Sequence, residues 1–447
     1  TVRKMTSSKA QLGQFFTTSP DAQRVMTSLV SKKKGLALEP SAGAGHLSIA
    51  LSVAKPGLVV DSVEFDSSIP WTHQNLPITY DDFFAYAAGK DSSFDVVFGN
   101  PPYVAWKEIG PSTRALLEDA FTEYSGKTNL YHLFIHRSID LLKDGGELVF
   151  IVPGEWCYST SASPLRKVMQ DKGALTHVID CGEEKLFADA DVPSIMIFRF
   201  VKAAKQGTVA YWGTFGAARD KTAAQSRVLQ VTNERWLFLD TKIGKQIANW
   251  TRLGALYDVK VGLVTGSDKV YKVTDPSKFE TSCVIEQVTT NRKLEHFLYL
   301  EDFQTESAIP PLTSAYLKPH KAHLLARRIR SFTSSNWWRY GAVRNITHMK
   351  SDKPRFFANS KTREAHPFFA VTGAKYYTGG VLGVYRNSDH DITDEKAMEL
   401  LNSPKYRQIF DSMMITSGGK ISLQPATLED APFPSTLEEL ELFLTTP

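Results

Sequence analysis

Asn100-Pro101-Pro102-Tyr103 follows an apolar run, Phe94-Asp95-Val96-Val97-Phe98, with Gly99 at the turn. The run reads as a buried strand, which puts the tetrapeptide at the strand's carboxyl end. Two consecutive prolines fix φ and remove two backbone donors, leaving rigid carbonyls that accept hydrogen bonds. The Asn100 carboxamide adds a second acceptor, and the Tyr103 ring offers a flat face. Such a set suits methyl transfer to a planar, amide-like nitrogen. Asn100 Oδ1 and the Pro101 carbonyl can hold the two hydrogens of the amine, draw the nitrogen towards sp³ and stabilise the charge that develops on it. Neither a His nor a pair of carboxylates adjoins Asn100, and this chemistry needs no strong general base. A rigid strand-to-loop turn with an exposed tyrosine is the plain alternative.

A second set suits a nucleoside-bearing cofactor. Glu39-Pro40-Ser41-Ala42-Gly43-Ala44-Gly45-His46-Leu47 lies between a strand and a helix, where glycine lets the backbone approach a ligand and turn sharply. A nicotinamide fingerprint would be GxGxxG; Ser48 stands where the third glycine would be, which favours a nucleoside without a pyrophosphate. Glu64, followed by Phe65, ends the second strand and can accept both hydroxyls of a ribose. In Asp81-Asp82-Phe83-Phe84 one carboxylate can accept from an adenine amino group while a Phe packs on the purine, and either Asp can instead cap a helix. Phe16-Thr17-Thr18-Ser19-Pro20 offers hydroxyls and N–H groups ahead of a helix, an anchor for a carboxylate or an ordinary cap.

The elements that must position these residues follow an α/β rhythm. Strands are expected near 35–39, 58–64, 94–98, 147–152, 176–181 and 194–200, with a short one around Ile78-Thr79-Tyr80. Helices are expected over 22–31, 44–53, 113–124, 130–142 and 164–171, with Gly145-Gly146 ending the fourth. The rhythm stops near residue 205. Residues 1–205 read as one domain, 206–254 as a connecting segment, and 255–447 as a second domain of short strands, helices and long loops.

A chain of 447 residues, 42% hydrophobic and 22% charged, can bury a sizeable core in two or three domains. No apolar run approaches a membrane span, and the first residues lack the apolar segment of a secretory signal. Cys157, Cys181 and Cys283 form no CxxC pair. That indicates no disulfide framework and no structural zinc, and a reducing cytoplasm is expected.

These motifs, in this order, resemble the γ-class, TaqI-type DNA adenine N6-methyltransferases of restriction–modification systems, most clearly over 11–200 and more loosely over 255–435. Asn129-Leu130-Tyr131 with Phe134, and Phe150-Ile151-Val152-Pro153, add to the likeness. So do Val261-Gly262-Leu263-Val264-Thr265-Gly266 and Gly418-Gly419 at the two ends of the second domain. The resemblance implies a Rossmann-like methyltransferase domain with a mixed, mostly parallel seven-stranded sheet, followed by a mixed α+β target-recognition domain. It implies S-adenosyl-L-methionine as cofactor, held by Phe16, Thr17, Glu39, Pro40, Ala42, Gly43, Gly45, Glu64, Phe65, Asp82, Phe83, Asn100 and Pro102. It further implies direct in-line transfer to an adenine flipped out of duplex DNA, with Asn100, Pro101, Tyr103 and Phe187 as catalytic residues and the two aromatic rings gripping the base. No metal is implied. A monomer in a prokaryotic cytoplasm, with a cognate restriction endonuclease acting on the same site, completes the expectation. Ala44 and His46 replace commoner small residues of the family, and Thr18-Ser19 extend its usual loop.

Charge is distributed unevenly. Between Tyr316 and Arg363 stand Lys318, Lys321, Arg327, Arg328, Arg330, Arg339, Arg344, Lys350, Lys353, Arg355, Lys361 and Arg363, against one acid, Asp352. The chain's net charge is only +4, so the remainder is net acidic. Such asymmetry is the electrostatic footprint of phosphate binding, and these residues, Lys350 apart, are the expected contacts to DNA. Trp337 and Trp338 read as core. Rival readings are a methyltransferase acting on RNA or on a protein glutamine amide, and a catalytically silent DNA-binding or specificity subunit. A fused nuclease finds too little chain before Leu12.

Overall fold

The computed structural model describes residues 16–446, apart from 72, 125, 183, 185, 187–193, 233, 414, 415, 418 and 419. Two compact units divide at Lys245/Gln246.

The first unit begins with helix α1 (Pro20–Leu29). Ser19 caps it by accepting from the Ala22 N–H at 3.3 Å, and Pro20 occupies the first turn, where a missing donor costs nothing. Then alternate β1 (Lys34–Glu39), α2 (His46–Ala54), β2 (Gly57–Glu64), β3 (Ile78–Tyr80), α3 (Phe83–Tyr86), β4 (Phe94–Gly99), α4 (Pro111–Glu118), α5 (Leu130–Leu141), β5 (Leu142–Pro153), α6 (Ser163–Lys172), β6 (Gly173–Gly182) and β7 (Ile195–Lys202). In the sheet these strands run 6-7-5-4-1-2-3. Strands β1 to β5 pair in parallel, and β7 lies antiparallel between β5 and β6. Val96, Phe98, Val149, Ile151 and Ile197 are wholly buried, as continuous apolar strands covered on both faces should be. The strand order reverses at β1, between β2 and β4. In open α/β sheets the crevice at the carboxyl ends of such strands is where ligands bind.

Two expectations need correction. Residues 206–254 are no simple connector: β8 (Val209–Trp212), β9 (Gln225–Thr232) and β10 (Arg235–Asp240) extend the sheet from seven strands to ten. Trp236, Leu237, Phe238 and Leu239 are buried, and this continuous apolar run packs the hairpin while its polar first strand and tip resemble a linker. Gly145-Gly146 does not end α5; that helix stops at Leu141, and the glycines lie within β5, where its pairing to β4 shifts register between Leu142 and Glu147.

The second unit holds a four-stranded sheet ordered Tyr257–Val261, Val381–Arg386, Arg355–Asn359, Phe368–Phe369, and another ordered Lys272–Val273, Leu294–Leu298, Val284–Val288, Tyr376–Tyr377. Tyr271, Trp337, Trp338, Tyr340, Tyr377 and Tyr385 fill its core. Among the described residues no helix is long and apolar enough to cross a membrane.

Candidate active site

Strands β1, β2 and β4 end side by side, and each ends on a polar residue: Glu39, Glu64 and, one step on, Asn100. Glu64 is buried. Its Oε2 accepts the Gly43 N–H at 2.7 Å and its Oε1 accepts the Asp66 N–H at 2.8 Å. Burial raises its pKa, and the backbone N–H groups oppose the rise. Gly43 has φ +53°, and a Cβ there would stand 2.5 Å from the Phe16 ring, so the loop passes this point only as glycine. Gly45 caps α2 with φ +87° and faces Trp71 rather than a cavity.

A cavity of about 940 Å³, its open mouth included, lies over these strand ends. Glu64 and Phe65 line one side, Asp82, Phe83 and Phe134 another, and Phe16, Pro40, Gly43, Asn100 and Pro102 its floor and rim. Phe83 stacks on Phe134 with centroids 4.6 Å apart. The structure separates the two adjacent acids. Asp82 caps α3, accepting the Phe84 N–H at 2.8 Å on Oδ1 and the Thr113 hydroxyl on Oδ2, and it lines the cavity; Asp81 is exposed and accepts the Asp82 N–H. Sequence reasoning missed Glu108, Ile109 and Thr113, which line the cavity from the segment after the Asn-Pro-Pro-Tyr turn. That segment carries no motif. Leu130 and Phe134 were legible through the family resemblance of Asn129-Leu130-Tyr131 and Phe134, not as cavity-lining residues.

Asn100 belongs both to this cavity and to a smaller one beside it, formed by Phe16, Thr17, Glu39, Ser41, Ala42, His46 and Leu47. Its Nδ2 donates to Thr17 Oγ1 at 3.2 Å, and Ser41 Oγ donates to its backbone carbonyl at 2.9 Å. The carboxamide is thus oriented with Oδ1 as acceptor. Pro101 is buried, and Pro102 is half-buried at the cavity rim. Tyr103 is anchored at its hydroxyl, which lies 2.6 Å from Asn100 Oδ1 and 3.0 Å from the Ile151 carbonyl, and its ring packs edge-on to Tyr131. A phenol that finds acceptors in an apolar setting folds back onto them, and burial holds its pKa far above the usual value. Glu39 is buried, accepts from Ser48 Oγ, and has its pKa pushed up to about 8, chiefly by burial. Ser48 Oγ also lies 2.7 Å from Ser62 Oγ. Phe187 and Gly418-Gly419 lie outside the described residues.

The basic segment of the second unit splits in two. Lys318, Arg328, Arg330, Arg344, Lys350, Lys353, Lys361 and Arg363 are exposed. Arg327, expected at a phosphate, is instead buried and donates to the carbonyls of Leu324, Thr265, Trp337 and Arg339 at 2.6–2.9 Å. Arg355 is likewise spent on the carbonyls of Met349, Ser351, Lys353 and Lys375 and covers the Tyr385 ring. Arg339 reaches the Phe303 carbonyl and Gln304, and Lys321 pairs with Glu306 at 2.7 Å. The irregular chain around these residues has carbonyls with no ladder to join, and guanidinium groups satisfy them.

Residues 59–187 match the family model of the Eco57I restriction-modification methylase. M.HindII of Haemophilus influenzae, a type II methyltransferase, is 23% identical over 96% of this chain and 90% of its own length. The chain is thus similar, over nearly its whole length to one and over its first half to others, to methyltransferases of restriction–modification systems. M.TthHB8I of Thermus thermophilus, another type II methyltransferase, is 32% identical, over 47% of this chain and about half (49%) of its own length. The restriction–modification enzyme MmeI, solved in complex with DNA, superposes with a TM-score of 0.50 at 10% identity, over 93% of this chain and 62% of that one, a likeness of fold. The first unit is accordingly a Rossmann-like methyltransferase fold with three added strands.

Proposed function

We propose that this chain transfers a methyl group from S-adenosylmethionine to the N6 amino group of an adenine flipped out of duplex DNA, acting as a monomer at a specific site that a cognate restriction endonuclease shares. One observation carries the reading: Asn100 opens onto the same cavity as Glu64, Asp82 and Phe83. An acceptor for an amine therefore adjoins a pocket with the donor-seeking groups a nucleoside needs. The relatives, all named as type II methyltransferases, support it.

The cradle fits the cofactor. Glu64 has lone pairs left for the ribose hydroxyls, Asp82 can accept the adenine amino group, and Phe83 with Phe65 brackets the purine. Thr17 and Phe16 stand at the amino-acid end, beside Glu39, Pro40, Ala42, Gly43 and Gly45 of the loop. When bound, S-adenosylmethionine supplies an electrophilic methyl group. The chain's own residues do the rest. Asn100 Oδ1 and the Pro101 carbonyl would accept hydrogen bonds from the two N6 hydrogens, localise the nitrogen lone pair and offset its growing positive charge, and one of those protons then leaves to solvent as the methylated amine becomes neutral. The Asn100–Thr17 bond holds the carboxamide in that orientation before the base arrives. Tyr103 yields Asn100 Oδ1 to the incoming amine, and with Phe187 recovers part of the few kcal/mol spent on unstacking. In the second unit Lys318, Arg328, Arg330, Arg344, Lys353, Lys361 and Arg363 meet the DNA.

A tritiated methyl-transfer assay on duplex DNA, RNA and protein lysate tests the proposal. Label is expected in duplex DNA alone, recovered as N6-methyladenine. Label in RNA or protein, or on cytosine, overturns it.

A further inference from the structure

Three consecutive exposed residues, Arg328-Ile329-Arg330, sit at the tip of a loop that the second unit holds unusually firmly. Arg327, immediately before them, is pinned to four backbone carbonyls. Its guanidinium lies 3.9 Å from the centroid of the Phe332 ring, and Arg330 lies over the same ring at 5.2 Å. Ile329 crosses two glycines, and a Cβ on either Gly266 or Gly341 would stand 2.6 Å from its Cδ1. Yet 48% of Ile329 stays exposed, between two exposed arginines.

This arrangement is ill-suited to a phosphate backbone and well-suited to a groove floor. An apolar face gains nothing against phosphate, whereas a thymine methyl group offers it a partner. A guanidinium already stacked on a ring loses little freedom on binding and keeps its planar fork, the geometry that pairs with guanine O6 and N7. Lys318, Lys350, Lys353 and Lys361, exposed on flexible stems, have the character of phosphate contacts.

We propose that the Arg328-Ile329-Arg330 tip is the element that reads base identity in the major groove, its arginines taking guanine edges and Ile329 a thymine methyl. This rests on the DNA-methyltransferase reading above. The test incubates the full chain with S-adenosylmethionine and a randomised duplex DNA library, then sequences the methylated molecules. Wild type is expected to mark one narrow motif. Arg330→Ala and Arg330→Lys should both relax one base-pair position and lower methylation of the original motif by about 5- to 150-fold, because lysine keeps the charge but not the fork. Arg328→Ala should relax a different position, and Lys318→Ala should keep the motif and only flatten the salt dependence of binding. A wild-type motif retained in Arg328→Ala, Arg330→Ala and Arg330→Lys, with a uniform loss of activity, overturns the assignment. A wild-type chain that leaves the library unmarked while labelling RNA or protein would bring down the underlying reading instead.

Discussion

Glu64 and Arg327 are both buried charges tied to the backbone, and they came to opposite ends. Glu64 accepts two N–H groups and still borders a cavity; Arg327 donates four hydrogen bonds, all to backbone carbonyls. A carboxylate has about four acceptor sites, so half of them remain for a ligand, whereas a guanidinium has five donors and four are consumed. At Glu64, therefore, a buried charge keeps hydrogen-bonding capacity beside a cavity. At Arg327, as at Arg166 of the first unit, burial makes a strut. The same rule sorts Asp82 from Asp81: the acid that caps α3 keeps an edge on the cavity, and the exposed one does not.

The sharpest way to break this contrast is at Asn100. Asn100→Ala removes one of two acceptors and should cut turnover by about 10²- to 10³-fold while the dissociation constant for S-adenosylmethionine, read by calorimetry, stays put. A parallel collapse of cofactor binding would show that Asn100 serves the pocket rather than the acceptor.

Next comes Arg327. Arg327→Met strands four carbonyls in the second unit's interior and should lower the unfolding free energy by about 2–4 kcal/mol, against about 0.5 kcal/mol or less for Lys318→Ala. Equal effects in urea denaturation would erase the distinction between strut and contact.

Glu64→Gln keeps the shape of the site and loses the charge. Cofactor affinity should weaken by about 10- to 100-fold, the scale of a charge-assisted hydrogen bond, with duplex affinity unchanged.

The last signal is in the pH profile. Glu39 holds its proton up to about pH 8 in the folded chain, far above the ordinary carboxylate value it regains on unfolding. Its stabilising contribution is full below about pH 4.5 and is lost as pH rises through about 8, with a slope of at most about 1.4 kcal/mol per pH unit. Glu39→Gln should flatten stability between pH 5 and 8; an unchanged slope would remove Glu39 as its source.

The placement of polar groups at strand ends was legible because it is local. A strand, a turn and two prolines place Asn100 without help from elsewhere, and Glu64 needs only the end of β2. Apolar runs alternating with helical patterns likewise located β1 to β7. The hairpin of β9 and β10 was overlooked, since its polar first strand and tip masked the buried run at Trp236, Leu237, Phe238 and Leu239. Thr113 left no trace in the sequence, because its bond to Asp82 spans a loop and a helix. The hydroxyl anchor of Tyr103 was not legible, since nothing in Asn-Pro-Pro-Tyr says that Ile151 offers it a carbonyl.

The amino-acid order determined which groups this protein possesses and where along each strand they fall, since backbone periodicity and proline geometry act over a few residues. Only tertiary structure decided which of them keep unspent hydrogen-bonding capacity. That depends on which orphaned carbonyls and N–H groups the rest of the chain delivers to each side chain, a matter of partners up to tens of residues away, as Arg327 with Thr265 shows.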